Sequence, residues 1–275
     1  VILYKKYKEV IYMETKLILL DLDYTLLKND KTISQKSIKV LNACQKQGIK
    51  VGFSTSRGNT NIQQYVDLVN PDIIICNGGA NIYSNGELLH SQGFTLEQTR
   101  QIFAAAYKES GENIEMTCDT ENELYWNRTE NKTNQFTNDT EFDDFLDFKL
   151  SALKICIQTT NQELIERIIK TSNVQDCKAI PFSDIPWYKI APTKATKENA
   201  IHFVASFFNI PTSKMISFGD DYSDIGMLKL CGKGIAMGNA IEEVKRVASD
   251  ITLTNDKDGV AIYLEKNILK NETDK

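Results

Sequence analysis

The chain has 275 residues, enough for one large domain or two small ones. It is 41% hydrophobic and 25% charged, ordinary for a globular protein, and its net charge of −5 argues against a general nucleic-acid binder. No run approaches the ~20 apolar residues of a membrane span. Six scattered cysteines without a C-x-x-C pair point to a reducing, cytoplasmic setting rather than a disulfide framework or a zinc site. The basic start, with Lys5, Lys6 and Lys8, lacks the apolar stretch of a signal peptide, and residues 1–13 read as an N-terminal extension.

In chain order, residues 16–20 read as a buried strand. Residues 34–47 read as a helix, capped by Ser34 and ended by Gly48. A strand at 49–53, a helix at 59–69 closed by Pro71, and a strand at 72–76 follow. Short apolar runs separated by helices imply a parallel α/β sheet. The middle reads differently. A strand edge at 87–89, a helix at 95–110, strands at 114–117, 123–127 and 153–158, and a helix at 162–171 suggest an inserted α+β domain. Residues 127–144, with Phe136, Phe142 and Phe145 close by, read as a solvated loop running into a short helix. After Pro192 the first pattern resumes. Helices are expected at 197–208, 242–248 and 258–265, with strands at 215–218 and 234–236. The expected division is therefore a core of residues 14–83 and 188–270, interrupted by an insert at 84–187.

The chemistry gathers where strands end. Asp21 and Asp23 follow the apolar run Leu17–Leu20, and in an extended segment their side chains point the same way. Two carboxylates held close raise each other's pKa unless a cation lies between them. The second strand ends at Ser54-Thr55-Ser56-Arg57, and a later one at Gly219-Asp220, with Asp224 four residues on. In open α/β sheets, ligands sit outside the carboxyl ends of the strands. Asp21 then reads as a nucleophile toward phosphorus and Asp23 as general acid and base. Asp21, Asp23, Asp220 and Asp224 read as surroundings for Mg²⁺. Thr55 and Ser56 offer a phosphate grip near a helix start, and Lys197 a neutralising charge. Each element alone has a plainer reading: a D-x-D turn, an N-cap at Ser54–Arg57, a solvated Lys197, a tight turn at Gly78-Gly79. Their order and their shared place at strand ends outweigh those readings.

These residues resemble a known family. Asp21-Leu22-Asp23-Tyr24-Thr25, Ser54–Arg57, Lys197 with Ala200, and Gly219-Asp220 through Asp224 are similar, in order, to the four motifs of haloacid dehalogenase superfamily phosphatases. The similarity is to the Cof-like branch with a large α/β cap, and it runs from about Lys16 to Tyr263. It implies a Rossmann-like parallel-sheet core with an inserted α+β (C2-type) cap, Mg²⁺ dependence and an aspartyl-phosphate intermediate. It carries Asp21 over as nucleophile, Asp23 as acid/base, Thr55 and Lys197 as phosphate ligands and Asp220 as metal ligand beside Asp224. It also implies that Asp23 reaches the metal through its backbone carbonyl. The sequence departs from the pattern at Tyr24 and Ser56, where glycines are usual, and at Ser223, where an asparagine is usual. The expected activity is Mg²⁺-dependent hydrolysis of a small phosphorylated metabolite, a sugar phosphate or a phosphorylated cofactor. Two alternatives remain: a phosphomutase using the same Asp21 chemistry, and a non-catalytic phospho-receiver or binding protein. The large insert and Asp23 disfavour the receiver.

Overall fold

The computed structural model describes residues 15–111, 113–128, 140–183 and 185–269. Phe136 and the expected N-terminal extension lie outside these residues. Among the described residues, fourteen strands form two sheets. The first has eight strands in the order β14-β13-β12-β1-β2-β3-β4-β5. They are β1 (Leu17–Leu20), β2 (Lys50–Ser54), β3 (Ile73–Cys76), β4 (Asn81–Ser84), β5 (Glu87–Ser91), β12 (Met215–Gly219), β13 (Lys233–Ala236) and β14 (Asp250–Ile251). The six strands from β14 to β3 run parallel, and the hairpin β4–β5 closes one edge antiparallel. β1 is flanked on both sides, which is why Leu17, Ile18, Leu19 and Leu20 are all fully buried and the strand is continuously apolar instead of alternating.

Helices cover this sheet: α1 (Gln35–Lys46), α2 (Gln63–Val69), α5 (Lys197–Phe208), α6 (Ile225–Leu230), α7 (Glu242–Val247) and α8 (Gly259–Asn267). Their ends follow local chemistry. The Ser34 hydroxyl accepts from the Ser37 N–H to start α1, and Gly48, at φ 79°, ends its turn. The Thr196 hydroxyl accepts from Asn199 N–H, so α5 starts at Lys197, and left-handed Asn209 stops it.

The second sheet has the order β10-β11-β9-β6-β7-β8. It contains β6 (Met116–Asp119), β7 (Leu124–Trp126), β8 (Thr140–Phe142), β9 (Lys154–Gln158), β10 (Cys177–Pro181) and β11 (Trp187–Pro192), with α3 (Leu96–Ser110) and α4 (Gln162–Ser172). Met116, Cys118, Ile155, Ile157 and Ile190 pack with Ile102, Phe103, Ile165 and Ile168 of the two helices into a core separate from that of the parallel sheet. The protein is thus a Rossmann-like parallel-sheet core with an inserted α+β cap.

Pairing moves two expected boundaries. β5 belongs to the parallel sheet through Ser91, and β11 belongs to the cap sheet through Pro192. The expected breaks at 83/84 and 187/188 therefore fall within the β4–β5 hairpin and at the start of β11. We propose the crossings at about 92 and 192. The expected short helix before residue 144 is a strand, β8, followed by irregular chain. The Asp143 and Asp144 carboxylates accept from the backbone N–H groups of Phe145 and Leu146, which competes with helix formation. Phe145 stacks on Phe103 with ring centroids 4.3 Å apart.

Candidate active site

β1, β2 and β12 run parallel and in step, with Leu20 opposite both Phe53 and Phe218. Asp21, Ser54 and Gly219 therefore emerge together at the carboxyl edge of the sheet. After Asp21 the chain leaves the extended conformation. A wide turn follows, closed by Leu26 N–H on Asp21 C=O at 3.3 Å and Leu27 N–H on Leu22 C=O at 2.8 Å. Tyr24 takes a left-handed φ of 56° inside it. The Asn239 side chain holds that backbone by donating to Tyr24 C=O at 2.8 Å.

The structure brings Asp21, Asp220, Asp224 and Lys197 together. The Lys197 ammonium donates to Asp21 Oδ1 and to Asp224 Oδ1, each at 2.6 Å. Asp224 Oδ2 accepts from the backbone N–H groups of Asp220 at 3.0 Å and Asp221 at 3.2 Å. Asp220 Oδ1 accepts from the Thr25 hydroxyl at 2.7 Å. One carboxylate oxygen from each of Asp21, Asp220 and Asp224 lies within 4.8 Å of the others. Gly79, at φ 108°, is required here: a Cβ on it would lie 2.1 Å from Thr196 C=O, at the start of the Lys197 helix. The turn at Gly78-Gly79 therefore positions a site lysine.

Burial pushes the Asp21 and Asp220 carboxyls up, and repulsion from Asp224 adds to it in both; Lys197 opposes the rise at Asp21. Burial works against the charge of Lys197, but Asp21 and Asp224 hold its pKa above the ordinary lysine value. Two of the three buried carboxylates, Asp21 and Asp224, thus share one lysine, and Asp220 has a hydroxyl but no cation as partner among the described residues. A compact set of hard oxygen donors with more negative than positive charge fits Mg²⁺. Asp21 and Asp220 are the donors with oxygens to offer, and Asp224 is committed to Lys197 and to two N–H groups.

Asp23 is placed differently. Its carboxylate takes Arg57 Nε at 2.7 Å and Nη2 at 2.8 Å, and Lys31 Nζ at 2.8 Å. Burial opposes ionisation, but these two cations hold its pKa down at about 2. Asp21 and Asp23 each have their own counter-charge, Lys197 for Asp21 and Arg57 with Lys31 for Asp23. Thr55 is buried at the end of β2, and its hydroxyl oxygen accepts from the Arg57 N–H at 3.1 Å, which leaves its proton to donate. The Ser56 carbonyl accepts from the cap's Lys154. A cleft of about 310 Å³ opens beside Tyr24, Asp220, Asn239 and Ser183 of the cap.

Thr25 and Arg57 lie inside the motifs, but nothing in the sequence marks either as a site residue. Lys31, and Asp119, Lys154 and Lys189 of the cap, carry no local signal. Each becomes visible only through a partner distant in the chain.

The family follows from the whole chain. Residues 18–264 match the model of the haloacid dehalogenase-like hydrolases. The chain belongs to this family. A 5-amino-6-(5-phospho-D-ribitylamino)uracil phosphatase of Bacillus subtilis is 27% identical, over 92% of this chain and 98% of that one. A solved haloacid dehalogenase-like hydrolase from B. subtilis superposes with a TM-score of 0.80 at 24% identity, over 93% of this chain and all of the other. The subclass IIB sugar phosphatase BT4131 superposes with a TM-score of 0.80 at 22% identity, over 92% and 98% of the two chains. These solved structures share the fold of a parallel-sheet core with an inserted cap. Among the described residues, no helix is long and apolar enough to cross a membrane.

Proposed function

We propose that this hydrolase is a Mg²⁺-dependent phosphomonoesterase that releases phosphate from a small metabolite, a sugar phosphate or a phosphorylated cofactor, through a phosphorylated Asp21. The observation that carries the reading is the convergence of Asp21, Lys197, Asp220 and Asp224, from three separate stretches of chain, at one sheet edge. The relatives' phosphatase activity agrees with it.

In this reading, one Asp21 oxygen attacks phosphorus while the ester P–O bond breaks. Lys197 orients Asp21 through its other oxygen. Thr55 donates its hydroxyl proton to a phosphoryl oxygen, and the backbone at Ser56 lies beside it. Asp23 gives its proton to the leaving oxygen, and water then attacks the acyl phosphate as Asp23 takes the water's proton, so that the Asp21–phosphorus bond breaks, Asp21 is regenerated and phosphate leaves. Ionised against Arg57 and Lys31, Asp23 is set for this base step. To serve as acid in the first step it must exchange those partners for a proton. Asp21 and Asp220, with the Asp23 carbonyl, would hold Mg²⁺, anchored by Asp224. When bound, the ion supplies charge neutralisation at the phosphoryl oxygens.

The test is phosphate release from a panel of phosphorylated metabolites. Asp21→Asn is nearly isosteric and is expected to lower kcat more than about a thousandfold with an unchanged melting temperature. EDTA should stop the wild type and Mg²⁺ restore it. Wild-type turnover by Asp21→Asn would refute the nucleophile assignment, and indifference to EDTA the metal.

A further inference from the structure

The face of the cap sheet that carries no helix is charged. Residues directly opposite one another across antiparallel strands share a face. Lys189 lies opposite Cys156, Cys156 opposite Thr117, Lys154 opposite Asp119, and Lys178 opposite Ala191. The other face holds Met116, Cys118, Ile155, Ile157 and Ile190, which pack with the cap helices. Lys154, Lys178, Lys189 and Asp119 are therefore turned toward the core.

Contacts across the cleft fix that orientation. The Lys154 ammonium donates to the Ser56 carbonyl and lies 3.4 Å from Asp119. A Cβ on Gly58 would sit 2.9 Å from Asp119 Oδ1, and one on Gly78 would sit 2.5 Å from Lys189 Nζ. Lys189 thus reaches over the loops that follow β2 and β3, where Thr55 and Ser56 lie. It is only 3% exposed.

The charges do not balance at Lys189. Lys154 is answered by Asp119, and Lys197 by Asp21 and Asp224. Among the described residues, the Lys189 ammonium makes no hydrogen bond or ion pair, and the Asp119 carboxylate, which feels its charge, is paired with Lys154. A buried ammonium without a counter-charge is costly to the fold. Lys178 lies on the neighbouring strand of the same face and adds to the positive charge there. The transferred phosphoryl group is met from the core side by Lys197. Lys189 enters from the cap, with its ammonium beside Gly78.

We infer that Lys189 pairs with a second anionic group of the substrate, a carboxylate or a further phosphate remote from the ester bond that breaks. The inference rests on the phosphomonoesterase reading above. It narrows the substrate class to phosphorylated acids and bisphosphates, in preference to otherwise neutral sugar phosphates.

The experiment uses two matched ester pairs with the Mg²⁺-loaded full-length protein. 6-Phosphogluconate against glucitol 6-phosphate differs in one carboxylate, and fructose 1,6-bisphosphate against fructose 6-phosphate in one phosphate. The wild type is expected to favour the more anionic member of at least one pair by roughly tenfold or more in kcat/KM, and the pair identifies the group. Lys189→Met should erase that preference while changing kcat/KM for the less anionic ester less than about threefold, and Lys189→Arg should keep part of it. A wild type without preference in either pair would overturn the inference. So would equal loss on both members in Lys189→Met, which would place the ammonium on the transferred group. Calorimetric binding of the same esters to the wild type separates the two readings. If no ester is hydrolysed, the phosphatase reading fails, and the binding preference alone then decides for or against Lys189.

Discussion

The Lys197 ammonium lies 2.6 Å from the Asp224 carboxylate, with both side chains almost fully buried. Asp224 links two functions, because its second oxygen accepts from the N–H groups of Asp220 and Asp221 and so shapes the loop that presents Asp220. Asp224→Ala leaves a buried ammonium short of one partner, and a buried and a partly buried N–H group without an acceptor. It is expected to cost about 3–5 kcal/mol of stability, read in urea unfolding. The same variant should raise the Mg²⁺ concentration needed for half-maximal turnover by about tenfold or more, read in a Mg²⁺ titration.

Arg57 is the principal counter-charge of Asp23. Asp23 stands at about 2, below its ordinary value of 3.8, so its ion pairs stabilise the fold above the ordinary value and lose that effect as pH falls toward 2. Arg57→Gln leaves only Lys31. The Asp23 pKa should rise, and the acid limb of the kcat profile, which includes the base step, should move to higher pH by about one unit. An unmoved limb would show that Asp23 does not set it.

Tyr24 adopts φ 56°, a conformation that disfavours any residue with a Cβ. The Lys31 ammonium lies 4.1 Å from its ring centroid, which offsets part of the strain. Tyr24→Gly removes strain and ring together, so stability should change by less than about 1 kcal/mol. Tyr24→Ala keeps the strain and loses the ring, and should be less stable by about 1–2 kcal/mol. Urea midpoints of the two variants check the contrast.

Lys189 bears on stability as well as on specificity. Burial, then the charges of Lys154 and Lys197, push its pKa down to about 8 from an ordinary 10.5. The unfolded chain therefore binds this proton more tightly, and the penalty is complete below pH 8 and fades as pH rises toward 10.5. Lys189→Met should stabilise the protein at pH 7 by about 1–3 kcal/mol, with a smaller gain at pH 10. Thermal melts at the two pH values measure this. A variant equally stabilised at both would remove the titration from the account.

Local chemistry was legible where one element satisfies itself. Ser34 caps the helix that follows it, as its place before the apolar pattern suggests, and apolar runs bounded by turn residues marked β1, β2, β3 and β12. β10 and β11 were not legible. Their residues alternate between a helix-packed face and a charged one, and that charged face makes sense only opposite the core. β8 was hidden for a related reason, since its partner β7 lies across a polar stretch.

The sequence alone determined that Asp21, Thr55, Lys197 and Asp220 stand at strand and helix ends, because the order of buried runs and caps is a one-dimensional property. Only the tertiary structure decided which charges meet. It gave Asp21 and Asp224 a shared lysine, bound Asp23 to Arg57, and left Lys189 buried beneath the cap, because counter-charges are chosen by distances between side chains that lie far apart in the chain.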